Sequence, residues 1–124
     1  MDIFFGSHKI IDPQLRPHHL VTFAIPDIGV RFKAPFPADD SSIDFASLLA
    51  LLEFVDINPQ LFANRALELY CHNFDLVTQI NSCKVEKEEL SPYLEKTLEY
   101  RARLKFSINW VPRHDNPALH SEID

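Results

Sequence analysis

Cysteine is scarce in this chain. Cys71 and Cys83 are the only two thiols in 124 residues. They have neither metal-type spacing nor the density of a disulfide scaffold, so they read as reduced thiols of a cytoplasmic protein. Positive charge is also short: 12 Lys and Arg stand against 18 Asp and Glu, a net charge of −6 with His neutral. Such a surface does not attract phosphate as a whole, so any nucleic-acid binding is expected to be weak and local. No run approaches the ~20 apolar residues that a membrane helix needs. The opening MDIFFGSHKI has neither a basic n-region nor a long apolar stretch, so neither a signal peptide nor a membrane location is expected. No repeat or low-complexity segment interrupts the chain. What remains is a length typical of one domain and 46% hydrophobic residues, enough for a packed core over 1–124.

The element signals follow in order. Residues 2–5 read as a short strand that turns at Gly6-Ser7. Residues 11–19 hold two prolines and no periodicity, which reads as loop, with His18-His19 a solvated pair. Residues 20–25 (LVTFAI) and 30–36 (VRFKAPF) form an antiparallel hairpin around Pro26-Asp27-Ile28-Gly29. Pro35 favours an edge strand or a strand end. PADDSS leads into a helix with Asp40 or Ser41 as N-cap and Ser41/Asp44 resembling a capping box. That helix is apolar around most of its girth, which predicts burial between layers, and Asn58-Pro59 ends it. Residues 66–71 read as a strand, with Asn73 capping a helix over 74–81. Ser91-Pro92 opens a further helix, with Glu99 and Arg103 as an i,i+4 pair. Residues 106–111 are a last strand. Arg31, Lys33, Arg101, Arg103 and Lys105 read as a solvated face. Trp110, the sole tryptophan, reads as sheet packing.

This order, βββαβααβ, together with local motifs, resembles the ribonuclease H family. LYCHNFDLVTQINS (69–82) resembles the stretch in which a strand ends in a catalytic Asp and a helix follows. INWVPRHDN resembles "I-x-W-V-P-R-x-x-N-x-x-A-D", the last strand and the approach to the fourth carboxylate. IFFGS and SSIDFASLLALLEF are looser matches to the first strand and the first helix. The resemblance covers nearly the whole chain. It implies an α/β (α+β) fold: a five-stranded mixed sheet with helices on both faces and a C-terminal helix that is short or missing. Apolar surface left bare by that helix would be covered by a partner or by the loop carrying Ile10, Ile11 and Leu15.

In the family, four carboxylates hold two divalent metals about 4 Å apart for phosphodiester hydrolysis. By resemblance the four positions here are Phe5, Asp44, His72 and His120, so one carboxylate survives. His114 matches a loop histidine found in part of the family. Magnesium favours oxygen ligands in near-octahedral geometry, and this set suits it poorly. Two readings follow. In the first, the chain is a non-catalytic binding or assembly module with no cofactor, acting through a protein partner or as a homodimer. In the second, Asp44, His72 and His120, with His114 nearby, form a remodelled site for manganese or zinc in a nuclease or phosphoesterase. Phe5 favours the first, because an aromatic ring at a ligand position removes a donor and fills space. The acidic KVEKEE run, placed where some relatives carry a basic handle, weakens nucleic-acid binding further.

Overall fold

The structure is a computed structural model and describes residues 1–10, 18–37, 39–62 and 65–119. The element order is β1 (Asp2–Ile10), β2 (His18–Ile25), β3 (Val30–Phe36), α1 (Ile43–Ile57), α2 (Pro59–Phe62), β4 (Leu67–Cys71), α3 (Phe74–Ser82), α4 (Ser91–Leu104) and β5 (Phe106–Trp110). The strands form one sheet ordered β3-β2-β1-β4-β5. β1, β2 and β3 pair antiparallel, whereas β4 pairs parallel with both β1 and β5. The parallel pairs need crossovers, and α1 and α3–α4 supply them. Among the described residues no helix is long and apolar enough to cross a membrane.

Alternation along the strands sorts the two faces. Ile3 and Phe5 on β1, Leu69 and Cys71 on β4, and Ile108 on β5 point to one side and are buried. There they join Leu48, Leu51, Leu52, Leu76, Ile80 and Leu94 from the helices in a single core. The expected all-round burial of α1 holds over most of its girth. On the other side, Phe4 stacks on Tyr70, with ring centroids 5.2 Å apart. The helical cover described on that side is a one-turn 3-10 segment, Pro117–Leu119. It sits where Gly6 leaves room: a Cβ on Gly6 would lie 2.8 Å from Leu119 Cδ2.

Several local expectations are corrected. β1 does not turn at Gly6-Ser7 but runs on to Ile10, because Gly6 and Ser7 keep their partners Thr22 and Val21 on β2. His18 and His19 begin β2 rather than lying in a loop. His19 is buried, and its Nε2 meets Asp40 Oδ1 at 2.9 Å. The residues expected as a loop at 11–17, including Ile11 and Leu15, lie outside the described residues. At the start of α1 neither candidate is the cap: Ser42 takes the N-cap position, and the side chain that gathers the donors before it is Asp39. Asp39 Oδ1 accepts the backbone N–H groups of Ser41 and Ser42 and both serine hydroxyls. Those donors, the Ser42 hydroxyl foremost, hold the Asp39 carboxyl below its ordinary value. Ser91 lies inside α4 instead of capping it, because a 3-10 turn over Glu88–Leu90 leads straight into the helix. Arg103 reaches Asp56 on α1 at 2.7 Å, and Glu99 pairs with Lys96. A tertiary partner has displaced the i,i+4 neighbour.

The hairpin, the edge position of Pro35 on β3, the end of α1 at Asn58 and the Asn73 cap of α3 are as expected.

Candidate functional site

Parallel pairing sets Ile3 beside Leu69 and Phe4 beside Tyr70, so Phe5 comes level with the end of β4, where His72 follows Cys71. Asp44 enters from the first turn of α1, where a carboxylate also complements the helix dipole. Residues 111–119 wrap past the same end of the sheet after β5.

Each Asp44 oxygen accepts from a neutral donor. Its Oδ1 accepts the Ser7 hydroxyl at 2.7 Å, and its Oδ2 accepts the Asn73 side-chain amide at 2.8 Å. Ser7 reaches it because the side chain of Ser7, two residues beyond Phe5, lies on the same face of β1. Asn73 reaches it while its other side-chain atom, Oδ1, caps α3 at Leu76 N. Phe5 has no exposed surface and belongs to the core, and its carbonyl accepts the Asn116 amide at 2.9 Å. Asn116, also fully buried, turns its Oδ1 to Ala118 N and so fastens the C-terminal 3-10 turn to β1.

His72 is half-buried. Its Nε2 lies 3.2 Å from Arg113 Nη1. A guanidinium has only donors, so Nε2 accepts and the ring proton sits on Nδ1. That Nδ1 is buried with no hydrogen-bond partner among the described residues. Burial lowers the His72 pKa from its ordinary value. Asp44 opposes this shift and Arg113 adds to it. Burial also raises the Cys71 thiol, with the Asp44 charge adding to the effect, so Cys71 is an inert core thiol.

The structure thus brings Asp44 and His72 to one place, within reach of each other's charge. His114 stands in a 3-10 turn over Arg113–Asp115, largely exposed, with Nε2 3.7 Å from Asp115. His120 lies outside the described residues. Trp110 is corrected from sheet packing. The residue is 46% exposed and its ring meets Phe74 edge-on with centroids 6.4 Å apart, while its Nε1 donates to the His72 carbonyl at 2.9 Å. Ser7, Asn116 and Arg113 were not singled out from sequence. Asn116 carries a signal, as the motif asparagine after Pro-Arg. Ser7 and Arg113 also fall inside the quoted motifs, but their partners, 37 and 41 residues away, carry no local signal.

The described donor set does not fit a divalent cation. Phe5 offers no ligand, and both Asp44 oxygens already accept hydrogen bonds. The His72 lone pair faces a guanidinium, which would repel a metal at that nitrogen. Among the described residues no three His, Cys, Asp or Glu side chains cluster in a way that could hold a metal.

No family model matches this sequence, and neither does any curated protein. Solved structures do. LC11-RNase H1, isolated from compost by a metagenomic approach, superposes with a TM-score of 0.75 at 14% identity, covering 93% of this chain and 86% of its own. The same protein in complex with an RNA/DNA hybrid gives 0.74 at 14% identity, covering 94% and 88%. RNase H1 from the archaeon Halobacterium salinarum gives 0.63 at 17% identity, covering 94% and 89%. Sheet order, crossovers and near-complete mutual coverage agree: the chain has the ribonuclease H-like fold.

Proposed function

We propose that this chain is a ribonuclease H-like domain without metal-dependent nuclease activity, acting as a binding or assembly module. The observation that carries the reading is Phe5. At the position of the first carboxylate a fully buried phenyl ring is part of the core. Closing that position removes a ligand and the space a metal would need. The hydrogen bonds from Ser7 and Asn73 then give Asp44 a structural role. Binding to a partner or to a second copy of the chain is supported by exposed apolar side chains at the same end, Phe74 and Trp110, and on the β3 edge, Phe32 and Phe36. Nucleic acid is the weaker partner for an acidic chain, although one neighbour of the fold is known bound to an RNA/DNA hybrid.

One observation favours the second reading, a nuclease or phosphoesterase on Asp44, His72 and His120. The Nδ1 of His72, buried with no hydrogen-bond partner among the described residues, belongs to a ring within the field of Asp44.

The test is cleavage of a labelled RNA–DNA hybrid and of single-stranded RNA with magnesium, manganese or zinc, beside D44N. No cutting under any metal is expected. Cutting that D44N abolishes would overturn the proposal and make the second reading the working one. Light scattering across a concentration series then reads self-association directly.

A further inference from the structure

We infer a second binding site at the opposite end of the sheet, a cleft for a small carboxylate with an apolar body. The cleft has a volume of about 450 Å³ and lies where α1 and α4 end and β4 begins. That size is within the roughly 300–1,000 Å³ range of small-molecule sites. Its floor is apolar: Val55, Phe62 and Leu67 line it and are each buried in the core. Its rim is cationic, with Arg65, Arg103 and Lys105 around one carboxylate, Asp56.

The charge balance selects the ligand. The whole chain carries −6, yet this rim holds three positive side chains against one negative. The carbonyl ends of α1 and α4 add about half a negative charge each, which leaves roughly one net positive charge. Asp56 is already committed to Arg103 at 2.7 Å. Arg65 is held only loosely, 3.9 Å from Asp27. Arg65 and Lys105 are therefore the charges that a ligand would meet. A single anionic head between them, with an apolar body over Val55, Phe62 and Leu67, satisfies both parts of the cleft. A neutral apolar molecule would leave the cations unmatched, and a polyanion would exceed the local charge.

The cleft is independent of the Asp44–His72 site and of the proposed function. In sequence, Arg103 and Lys105 read as a solvated face. Only the fold sets them opposite Arg65, some forty residues earlier.

The test uses 1-anilinonaphthalene-8-sulfonate as fluorescent probe on the full chain, displaced by sodium octanoate or by 1-octanol. Saturable binding is expected, displaced by octanoate and not by octanol at equal concentration. R65Q and K105Q should each weaken it roughly threefold, the size of one partly exposed charge contact. D56N should tighten it by removing the single acid of the rim. Arg65 and Lys105 are at exposed positions and Asp56 is partly buried, and thermal melts would establish that each variant is folded. No saturable binding, equal displacement by octanol, or affinity unchanged in both R65Q and K105Q would each overturn the site.

Discussion

Asn73 ties Asp44 to α3. Its amide nitrogen donates to Asp44 Oδ2 at 2.8 Å while its amide oxygen accepts Leu76 N at 3.0 Å. One side chain thus caps α3 and holds the carboxylate in the first turn of α1. N73A should lose both contacts and cost about 2–3 kcal/mol, the sum expected of a cap and a charge-assisted bond at a half-exposed position. N73D should keep the cap but set two carboxylates together. Its loss should therefore be larger at pH 7 than at pH 4, as read by urea midpoints at each pH. Equal losses at both pH values would separate Asn73 from Asp44.

Phe5 should be worth more than any polar group of the site. F5A should cost about 3–5 kcal/mol, as for other buried phenyl groups. F5D should cost more, because it also buries a carboxylate with no described partner. A variant F5D as stable as the parent, cutting a hybrid with magnesium, would show that the position is open rather than packed shut.

His72 should set a pH dependence. The fold lowers its pKa, chiefly by burial, so the folded chain favours the neutral ring. Between the unfolded value, about 6.5, and the lowered folded value, the unfolded chain holds a proton that the folded chain lacks. Stability should therefore fall as the pH drops below about 6.5 and level off below the folded pKa. The difference between the parent and H72Q isolates this slope from the carboxylates. By NMR titration, D44N should lower the His72 pKa further and R113Q should raise it. The reverse order would mean that Arg113 is not at the ring in solution.

The two thiols should separate by rate. Cys83 is exposed, whereas Cys71 is buried with its pKa raised. Ellman's reagent at pH 7.5 should titrate one fast thiol per chain, removed by C83S, and Cys71 should react only on unfolding. Two fast thiols would show that the end of β4 opens.

Much of the fold was legible because its signals are local. The Pro26–Gly29 hairpin turn, the Asn58-Pro59 stop and the Asn73 cap each depend on residues a few positions apart, where backbone sterics and short-range hydrogen bonds decide the outcome. What failed was of another kind. His19 reads as a loop residue until β2 pairs with β1 and Asp40 arrives from the α1 approach. Arg103 reads as a partner for Glu99 until α1 brings Asp56 closer. Gly6 reads as a turn until Leu119 is seen to need its missing Cβ.

The sequence by itself determined the element order and the apolar face of the strands. Those follow from residue identity and from periods of 2 and 3.6. Only the tertiary structure decided that Asp44 accepts from Ser7 and Asn73, that Arg113 faces His72, and that Arg65 and Lys105 line one cleft. Each of these brings chain-distant groups together by strand register and helix packing, and no local pattern in the sequence encodes it.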